Sequence, residues 1–329
     1  MKKLVRLILV LCGILTLPGV VDAQVDQTFW FVVPETTRDH NKQPGVLRIT
    51  TFDQPAVVSI SQPANLAFDP IILNIPANTQ VKHEFWDRTG IPYNTMLWAV
   101  ENGTMDALTG YPRDWPNVTG NDPVASGPEQ IPILKKGLLI ESTNGANISV
   151  YYEVANDQNP ERFNLKGRNA LGTHFIIPSQ NRFKNYFDTP KAREKVDIVA
   201  TADGTTVTFF FDPARHDFVG KPATGTSFTI TLNRGETFSL RSNDRTTNAS
   251  LGGIFIESSN DIAVTISDDS IIETNSYIHY DLVGDQLIPI TKAGTRYIAM
   301  HPSHGTRYQG YYGTRYGQDS RTVSNQVFI

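Results

Sequence analysis

Residues 138–150 read LLIESTNGANISV, and residues 254–266 read IFIESSNDIAVTI. Each stretch is preceded by short segments in which apolar and polar residues alternate, and turn residues separate these segments. Each also runs into acidic residues, at Glu153 in the first case and at Asp268 and Asp269 in the second. A phrase of this length that recurs within one chain is typical of a repeated structural unit. The sequence therefore predicts tandem copies of one domain, and the function has to be sought in an array of such domains.

Short alternating segments separated by turn residues run through both copies. VLRITTF (46–52) alternates between two faces, as a half-buried strand does. In the second copy, VDIVATA (196–202) and TTVTFFF (205–211) flank Asp203-Gly204, a dipeptide typical of tight hairpins because both of its positions need positive φ. No segment of useful length has helical spacing of apolar residues. We predict an all-β fold of tandem antiparallel β-sandwich domains, with the start of a third unit at the C-terminus.

One turn supports the alignment of the two copies. IPANTQV (75–81) corresponds to LNRGETF (232–238), which sets Asn78 opposite Gly235. Both residue types tolerate the left-handed backbone conformation. We therefore predict that Asn78 and Gly235 occupy the same positive-φ position in equivalent turns.

The N-terminus has the features of a secretory signal peptide. Lys2, Lys3 and Arg6 precede an apolar run that is too short to span a bilayer, and small residues suited to cleavage follow at 21–23. No later apolar stretch is long enough to cross a membrane. We expect a secreted or cell-surface protein with this organisation: signal peptide 1–23, first β-sandwich 24–160, second β-sandwich 161–284, and the start of a truncated third unit 285–329.

The first copy carries a long insertion at about residues 86–134, which is rich in Pro, Gly and Asn. It holds three of the four tryptophans of the chain. The rings either cover one end of the sandwich or face a ligand, because long loops on rigid scaffolds often bind. On the second interpretation, the candidate ligand-binding residues are Trp86, Trp98, Tyr111 and Trp115.

Composition and motifs argue against several classes of function. The only cysteine, Cys12, lies in the signal segment, so the mature chain is predicted to have neither a disulfide nor thiol chemistry. A formal net charge of -4 without a basic stripe argues against nucleic acid as a partner. No catalytic signature is present, and we predict no enzyme activity, no cofactor and no metal site.

Two clusters contain residue types that are used in catalysis or metal binding. Asp268 and Asp269 follow a predicted strand, and adjacent strand residues point to opposite faces, so they make a poor catalytic pair. They are interpreted as a solvated loop, with a calcium-binding loop as the alternative. His301 and His304 are three residues apart in a loop and need at least one further ligand to hold a metal.

The second copy contains IFIESSNDIAVTISDDS (254–270) and DLVGDQLIPITKAGTRYIAM (281–300). These stretches resemble the bacterial form of the IgGFc-binding protein N-terminal domain family, which has an S-x-x-P-I-A-V-like strand, a D-x-x-x-x-Q-L-x-P phrase and a G-x-x-Y/F strand at these places. Asp261 stands where the family usually has proline. The positions that carry the phrases are Ser259, Ile262, Ala263, Val264, Asp281, Gln286, Leu287, Pro289, Gly294 and Tyr297. The resemblance implies a secreted or surface-exposed, non-enzymatic β-domain array with an adhesion or binding role.

Three hypotheses about function follow. The first is a binding or adhesion protein whose partner is an extracellular protein or a glycan. The second is a carbohydrate-binding accessory protein of a polysaccharide-degrading system, which exposed tryptophans in the insertion would favour. The third is a structural subunit of a surface assembly, recruited through the incomplete third unit.

Overall fold

The computed structural model describes residues 24–34, 45–66, 68–84, 133–135, 137–154, 160–180, 183–186, 192–272 and 280–294. Within these stretches β-strands dominate, and the helical structure consists of two short 3₁₀ turns, Gly167–Ala170 and Ile290–Lys292. The predicted all-β fold class is therefore confirmed. The signal segment, most of the insertion and the residues after 294 lie outside the described residues.

Eight strands come first in the chain and form two four-stranded antiparallel sheets. They are β1 (Thr28–Phe31), β2 (Gly45–Thr51), β3 (Ala56–Ser61), β4 (Ile71–Ile75), β5 (Gln80–Glu84), β6 (Leu138–Ser142), β7 (Ile148–Val154) and β8 (Glu161–Asn164). The strand orders are β1-β6-β3-β4 and β5-β2-β7-β8. Phe31, Leu47 and Ile140, drawn from both sheets, share one buried cluster, so the sheets are the two layers of a sandwich. We call it the N-terminal sandwich.

The C-terminal sandwich is built by the next eight strands. They are β9 (Gly172–Ile176), β10 (Lys184–Asn185), β11 (Glu194–Ala200), β12 (Thr205–Phe210), β13 (Ser227–Leu232), β14 (Thr237–Arg241), β15 (Phe255–Ile272) and β16 (Asp281–Gln286). The first residues of β15 pair with β12 and β9, and residues 262–268 pair with β11. One long strand therefore serves both layers. Phe175 and Phe209 of one layer meet Val196 and Phe238 of the other in the core.

The two sandwiches have the same strand pairing. Seven residues of β2 pair with β7, and seven residues of β11 pair with β15. The ladder between β3 and β6 corresponds in the same way to the ladder between β12 and β15. The links between the two ladders differ. Residues 143–147 form a separate connection from β6 to β7, whereas the equivalent residues 259–261 are two fewer and belong to the continuous strand β15. The two repeated phrases therefore match with a two-residue gap after Ser142.

The predicted equivalence of the two turns is confirmed. Asn78 has a φ of 51° and Gly235 has a φ of 80°. The Asn78 N–H donates to the carbonyl of Phe52, and the Gly235 N–H donates to the carbonyl of Ala200. Both turns thus fold back on the preceding strand of the same layer through one left-handed residue.

The sandwiches pack face to face through an apolar junction. Trp30 and Leu139, on the outer face of the sheet that contains β1 and β6, lie against Val199 and Ala263 of the C-terminal sandwich. The guanidinium of Arg234 lies 5.2 Å from the centre of the Trp30 ring, at cation–π distance. The two units are therefore joined by a packed interface as well as by the chain.

The predicted domain boundaries at residues 160 and 284 stay a prediction. The strands beside them contact both sandwiches. β8 pairs with β7, and Leu282 of β16 lies in the core of the N-terminal sandwich. In the described part of the chain, no helix has the length and apolar character needed to cross a membrane.

Candidate functional site

The four aromatic residues predicted to contact a ligand lie outside the described residues: Trp86, Trp98, Tyr111 and Trp115. The segments that flank their insertion are described. β5 ends at Glu84 in the N-terminal sandwich, whereas Leu134 forms an antiparallel bridge with Thr237 at the start of β14. The N–H of each of these two residues donates to the carbonyl of the other, at 3.0 and 2.8 Å. The insertion therefore begins on one sandwich and returns along the other.

Glycine is required where the insertion returns. The Gly137 N–H donates to the Gly235 carbonyl at 3.1 Å, and a Cβ atom on Gly137 would lie 2.3 Å from Cγ2 of Val199. A Cβ atom on Gly235 would lie 2.8 Å from the backbone nitrogen of Ala64. At both glycines the backbones of the two sandwiches approach more closely than a side chain permits. The return point of the insertion is thus built into the junction.

Gln286, the central residue of the D-x-x-x-x-Q-L-x-P phrase, also serves this junction. It is buried, and its Nε2 donates to the carbonyl of Trp30 at 2.7 Å. Its Oε1 accepts from the N–H of Lys166 at 2.8 Å. Pro289 of the same phrase is packed so closely on Gly172 that a Cβ there would lie 2.6 Å away. These phrase residues bind the protein's own backbone and do not form a ligand site.

Asp26 makes a second set of hydrogen bonds to the linker between the sandwiches, in addition to those of Gln286. Its carboxylate accepts from the backbone N–H of Arg168 at 2.8 Å and from Nε of the same residue at 2.9 Å. Burial acts to raise the pKa of Asp26, but hydrogen bonds from Arg168 and Gln27 outweigh it and lower the pKa. The carboxylate holds the linker between the sandwiches against the start of the first one.

A small polar cavity lies at one end of the C-terminal sandwich. Glu194 and Asp268 are direct cross-strand partners there, and both are buried. The Asp268 carboxylate accepts from Nδ2 of Asn185 at 2.6 Å and from Nε2 of Gln180 at 2.7 Å. Oε2 of Glu194 accepts from the Leu251 N–H at 2.9 Å. The segment after β9 and the loop before β15 close the cavity around the two carboxyl groups.

The surroundings of this pair favour protonated carboxyl groups. Burial raises the pKa of Glu194 to about 8, and the negative charge of Asp268 adds to that effect. Burial also raises the pKa of Asp268 to about 6, although the hydrogen bonds from Gln180 and Asn185 act against it. Both shifts favour the protonated forms, more strongly at Glu194, and the two carboxyl groups titrate as a coupled pair.

The interpretation of Asp268 and Asp269 as a solvated loop is wrong. Both residues lie within β15 and are buried, because the strand continues past the end of the predicted one. Ser270 has a φ of 54°, and the pairing with β16 shifts its register at this point. Among the described residues, no group of three or more His, Cys, Asp and Glu side chains is arranged to hold a metal ion. His301 and His304 lie outside those residues.

An exposed apolar row crosses the outer face of the C-terminal sandwich. Phe210, Phe255 and Ile176 are successive cross-strand neighbours on β12, β15 and β9. Phe210 is 38% exposed and Ile176 is 52% exposed. The rings of Phe210 and Phe255 are 5.8 Å apart, and His174 contacts Phe255 from the next row. The sequence analysis missed this row, although three consecutive phenylalanines at 209–211 cannot all point to one side of a strand.

These features define a class of protein: two β-sandwiches locked face to face, with polar side chains devoted to the junction and an insertion anchored on it. Residues 163–325 match the family model described as IgGFc binding protein. The predicted resemblance is thereby confirmed over that region. The description of that family is of a binding protein. No curated protein and no solved structure matches the chain.

Proposed function

We propose that this chain is a secreted or cell-surface binding or adhesion protein without enzyme activity, whose partner is an extracellular protein or a glycan. The family match of residues 163–325 supports a binding role. The features of a signal peptide at residues 1–23 support export. The matched family is described as IgGFc binding protein, so the Fc part of immunoglobulin G is the first partner to test.

The observation that carries the proposal is the pairing of Leu134 with Thr237. It ties the end of the insertion to a strand whose sheet is packed between the core of the C-terminal sandwich and the N-terminal sandwich. A loop that starts and ends on a rigid base can hold aromatic side chains in a fixed arrangement, which is how loops on sandwiches commonly bind. The proposed ligand contacts are Trp86, Trp98, Tyr111 and Trp115.

The buried carboxyl pair supports a role without catalysis. Oxygens of Glu194 and Asp268 accept hydrogen bonds from groups of the protein itself, and both side chains are enclosed. A general acid needs contact with a substrate. The pair is accordingly assigned to stability.

The proposal is tested by equilibrium binding of residues 24–329 to immobilised Fc and to a glycan panel. The variant Trp86→Ala/Trp98→Ala/Trp115→Ala should bind its partner at least about tenfold more weakly, since aromatic anchors commonly contribute 2 kcal/mol or more each. Phe52→Ala, at a 38% exposed position outside the insertion in sequence, is the matched control and should bind normally. Binding that survives the triple change contradicts the assigned site, and hydrolysis of a glycan contradicts the class.

A structural subunit of a surface assembly is the second candidate. The observation that favours it is the exposed row of Phe210, Phe255 and Ile176, because apolar surface of this kind marks sites of association.

A further inference from the structure

The exposed row has a buried counterpart in the same chain. In the ladders that pair β15 with β9 and β6 with β1, Ile176 and Phe255 occupy the positions that Trp30 and Leu139 occupy in the N-terminal sandwich. Trp30 is 6% exposed and Leu139 is 2% exposed. One face of the repeated fold is therefore used for sheet-on-sheet packing in the first copy and left open in the second.

The covered face shows what kind of surface fits. Trp30 and Leu139 lie against Val199 and Ala263, which are aliphatic residues on the outer face of another antiparallel sheet. Sheets that pack in this way lie about 10 Å apart and interdigitate apolar side chains. The occupant of the open face should therefore present apolar side chains from a sheet of similar shape.

The opposite end of the molecule does not supply such a surface. The outer face of the sheet β5-β2-β7-β8 carries an ion pair between Arg48 and Glu153 at 2.5 Å. On the same sheet, Arg162 lies over the ring of Tyr151 at 5.2 Å. The side chains of Arg48 and Glu153 keep 26% and 11% of their surface exposed, and covering that remainder with phenylalanine and isoleucine would remove hydration without replacing it. Head-to-tail stacking of copies, with an open row against a charged face, is therefore unfavourable.

A second copy of the chain has an apolar sheet surface of the required kind, namely its own row of Phe210, Phe255 and Ile176. We propose that the row Phe210–Phe255–Ile176 joins two copies of this chain, sheet face against sheet face, around a twofold axis. In such a dimer the same patch serves both partners, so the assembly closes and does not grow into a filament. Each partner removes its apolar row from water, at about 25 cal/mol for every Å² buried. Thr208 and Glu257 in the adjacent row form a polar rim.

Sedimentation equilibrium of residues 24–329 tests the proposal. The wild-type chain should be dimeric at micromolar concentration, and Ile176→Lys should raise the dimer dissociation constant at least a hundredfold, because it places two ammonium groups in the apolar contact. The matched control is Ile72→Lys, since Ile72 is 55% exposed but lies on the N-terminal sandwich. It should leave the dimer unchanged. Phe210→Lys serves as an independent second disruption, and far-UV circular dichroism verifies that each variant is folded.

Cross-linking locates the contact. Residues 24–329 have no cysteine, so Phe255→Cys introduces a single thiol at the centre of the row, next to the twofold axis. Oxidation should produce disulfide-linked dimers from this variant and not from Ile72→Cys. A monomeric wild type overturns the proposal, as does a dimer that Ile176→Lys leaves intact. If residues 295–329 of the same chain cover the row instead, the chain stays monomeric and the thiol does not cross-link, which also overturns it. These measurements contain no Fc or glycan, so their outcome is independent of the proposed binding function.

Discussion

The two sandwiches share a fold, but they treat equivalent positions in opposite ways. In the N-terminal sandwich the first pair of the β2–β7 ladder is Gly45 with Val154, and the same pair in the C-terminal sandwich is Glu194 with Asp268. At this end of the core, the N-terminal sandwich has a glycine and a valine, whereas the C-terminal sandwich has two buried carboxyl groups. The strand order determines where side chains lie, and the residue types then decide whether an end of the sandwich responds to pH.

The outer faces differ in the same manner. The face around Trp30 is covered, the equivalent face around Ile176 is open, and the face around Arg48 is charged. Repeat proteins commonly have polar surfaces on their terminal units and apolar surfaces between units. By that criterion the face around Arg48 has the character of a terminal surface, and the face around Ile176 has the character of a surface between units.

The largest expected difference between the copies comes from truncating the two equivalent residues. Trp30→Ala should lower the free energy of unfolding by about 3–5 kcal/mol, because a large buried ring leaves a cavity at the junction. Ile176→Ala, measured at a concentration where the chain is monomeric, should cost less than about 1 kcal/mol. Urea denaturation followed by circular dichroism measures both. Equal losses would mean that the two faces are covered alike.

The carboxyl pair should make stability depend on pH. A raised pKa means that the folded state binds more protons than the unfolded state. Stability is therefore greatest below pH 4 to 5, where the same carboxyl groups titrate in the unfolded chain, and it is lost as the pH rises through about 6 and 8. Urea titrations at pH 5 and pH 8.5 should differ by roughly 5 kcal/mol, at 1.36 kcal/mol for each pKa unit, with about 3 units from Glu194 and about 1 unit from Asp268.

Glu194→Gln should remove the greater part of that difference, because the amide stays neutral at both pH values. Glu161→Gln is the comparison. Burial raises the pKa of Glu161 to about 7 at a less enclosed site, so this variant should remove a smaller part. A pH dependence that Glu194→Gln leaves intact would assign it to other groups.

Gln286→Leu tests the polar bond between the copies. The change leaves the Trp30 carbonyl and the Lys166 N–H without their partner, which should cost about 2 kcal/mol. Gln27→Leu is the control, since Nε2 of Gln27 bonds the Gly145 carbonyl at an exposed site and its loss should cost less than about 0.5 kcal/mol. Thermal unfolding and urea denaturation distinguish the two, and a Gln286→Leu variant of unchanged stability would refute this role of Gln286.

The equivalent turns give the smallest expected effect. Gly235→Ala should destabilise by about 1–2 kcal/mol, from positive φ and from crowding against Ala64. Asn78→Gly should stay within about 0.5 kcal/mol, since glycine adopts the same conformation freely. If Gly235→Ala were neutral by urea denaturation, the close approach at that turn would not constrain the junction.

Much of the fold was readable from local pattern. The match of Asn78 with Gly235 predicted one turn geometry in two places. The Asp203-Gly204 dipeptide marked a turn correctly, but the predicted hairpin is wrong, because β11 and β12 do not pair with each other and the turn leads from one layer to the other. Such signals work because a tight turn and an alternating strand depend on neighbouring residues. Family phrases were readable too, but the role of Gln286 was not, since its partners at Trp30 and Lys166 are distant in sequence.

The sequence by itself determined the all-β class, the duplication and the family resemblance of the second half, because periodicity, turn chemistry and repeated phrases are local properties. Only the tertiary structure decided which outer faces are covered, that Asp268 is buried rather than solvated, and that the insertion returns along β14. The physical reason is that exposure depends on what packs against a strand from elsewhere in the chain. An alternating strand specifies two faces, and the partner of each face is chosen by long-range packing.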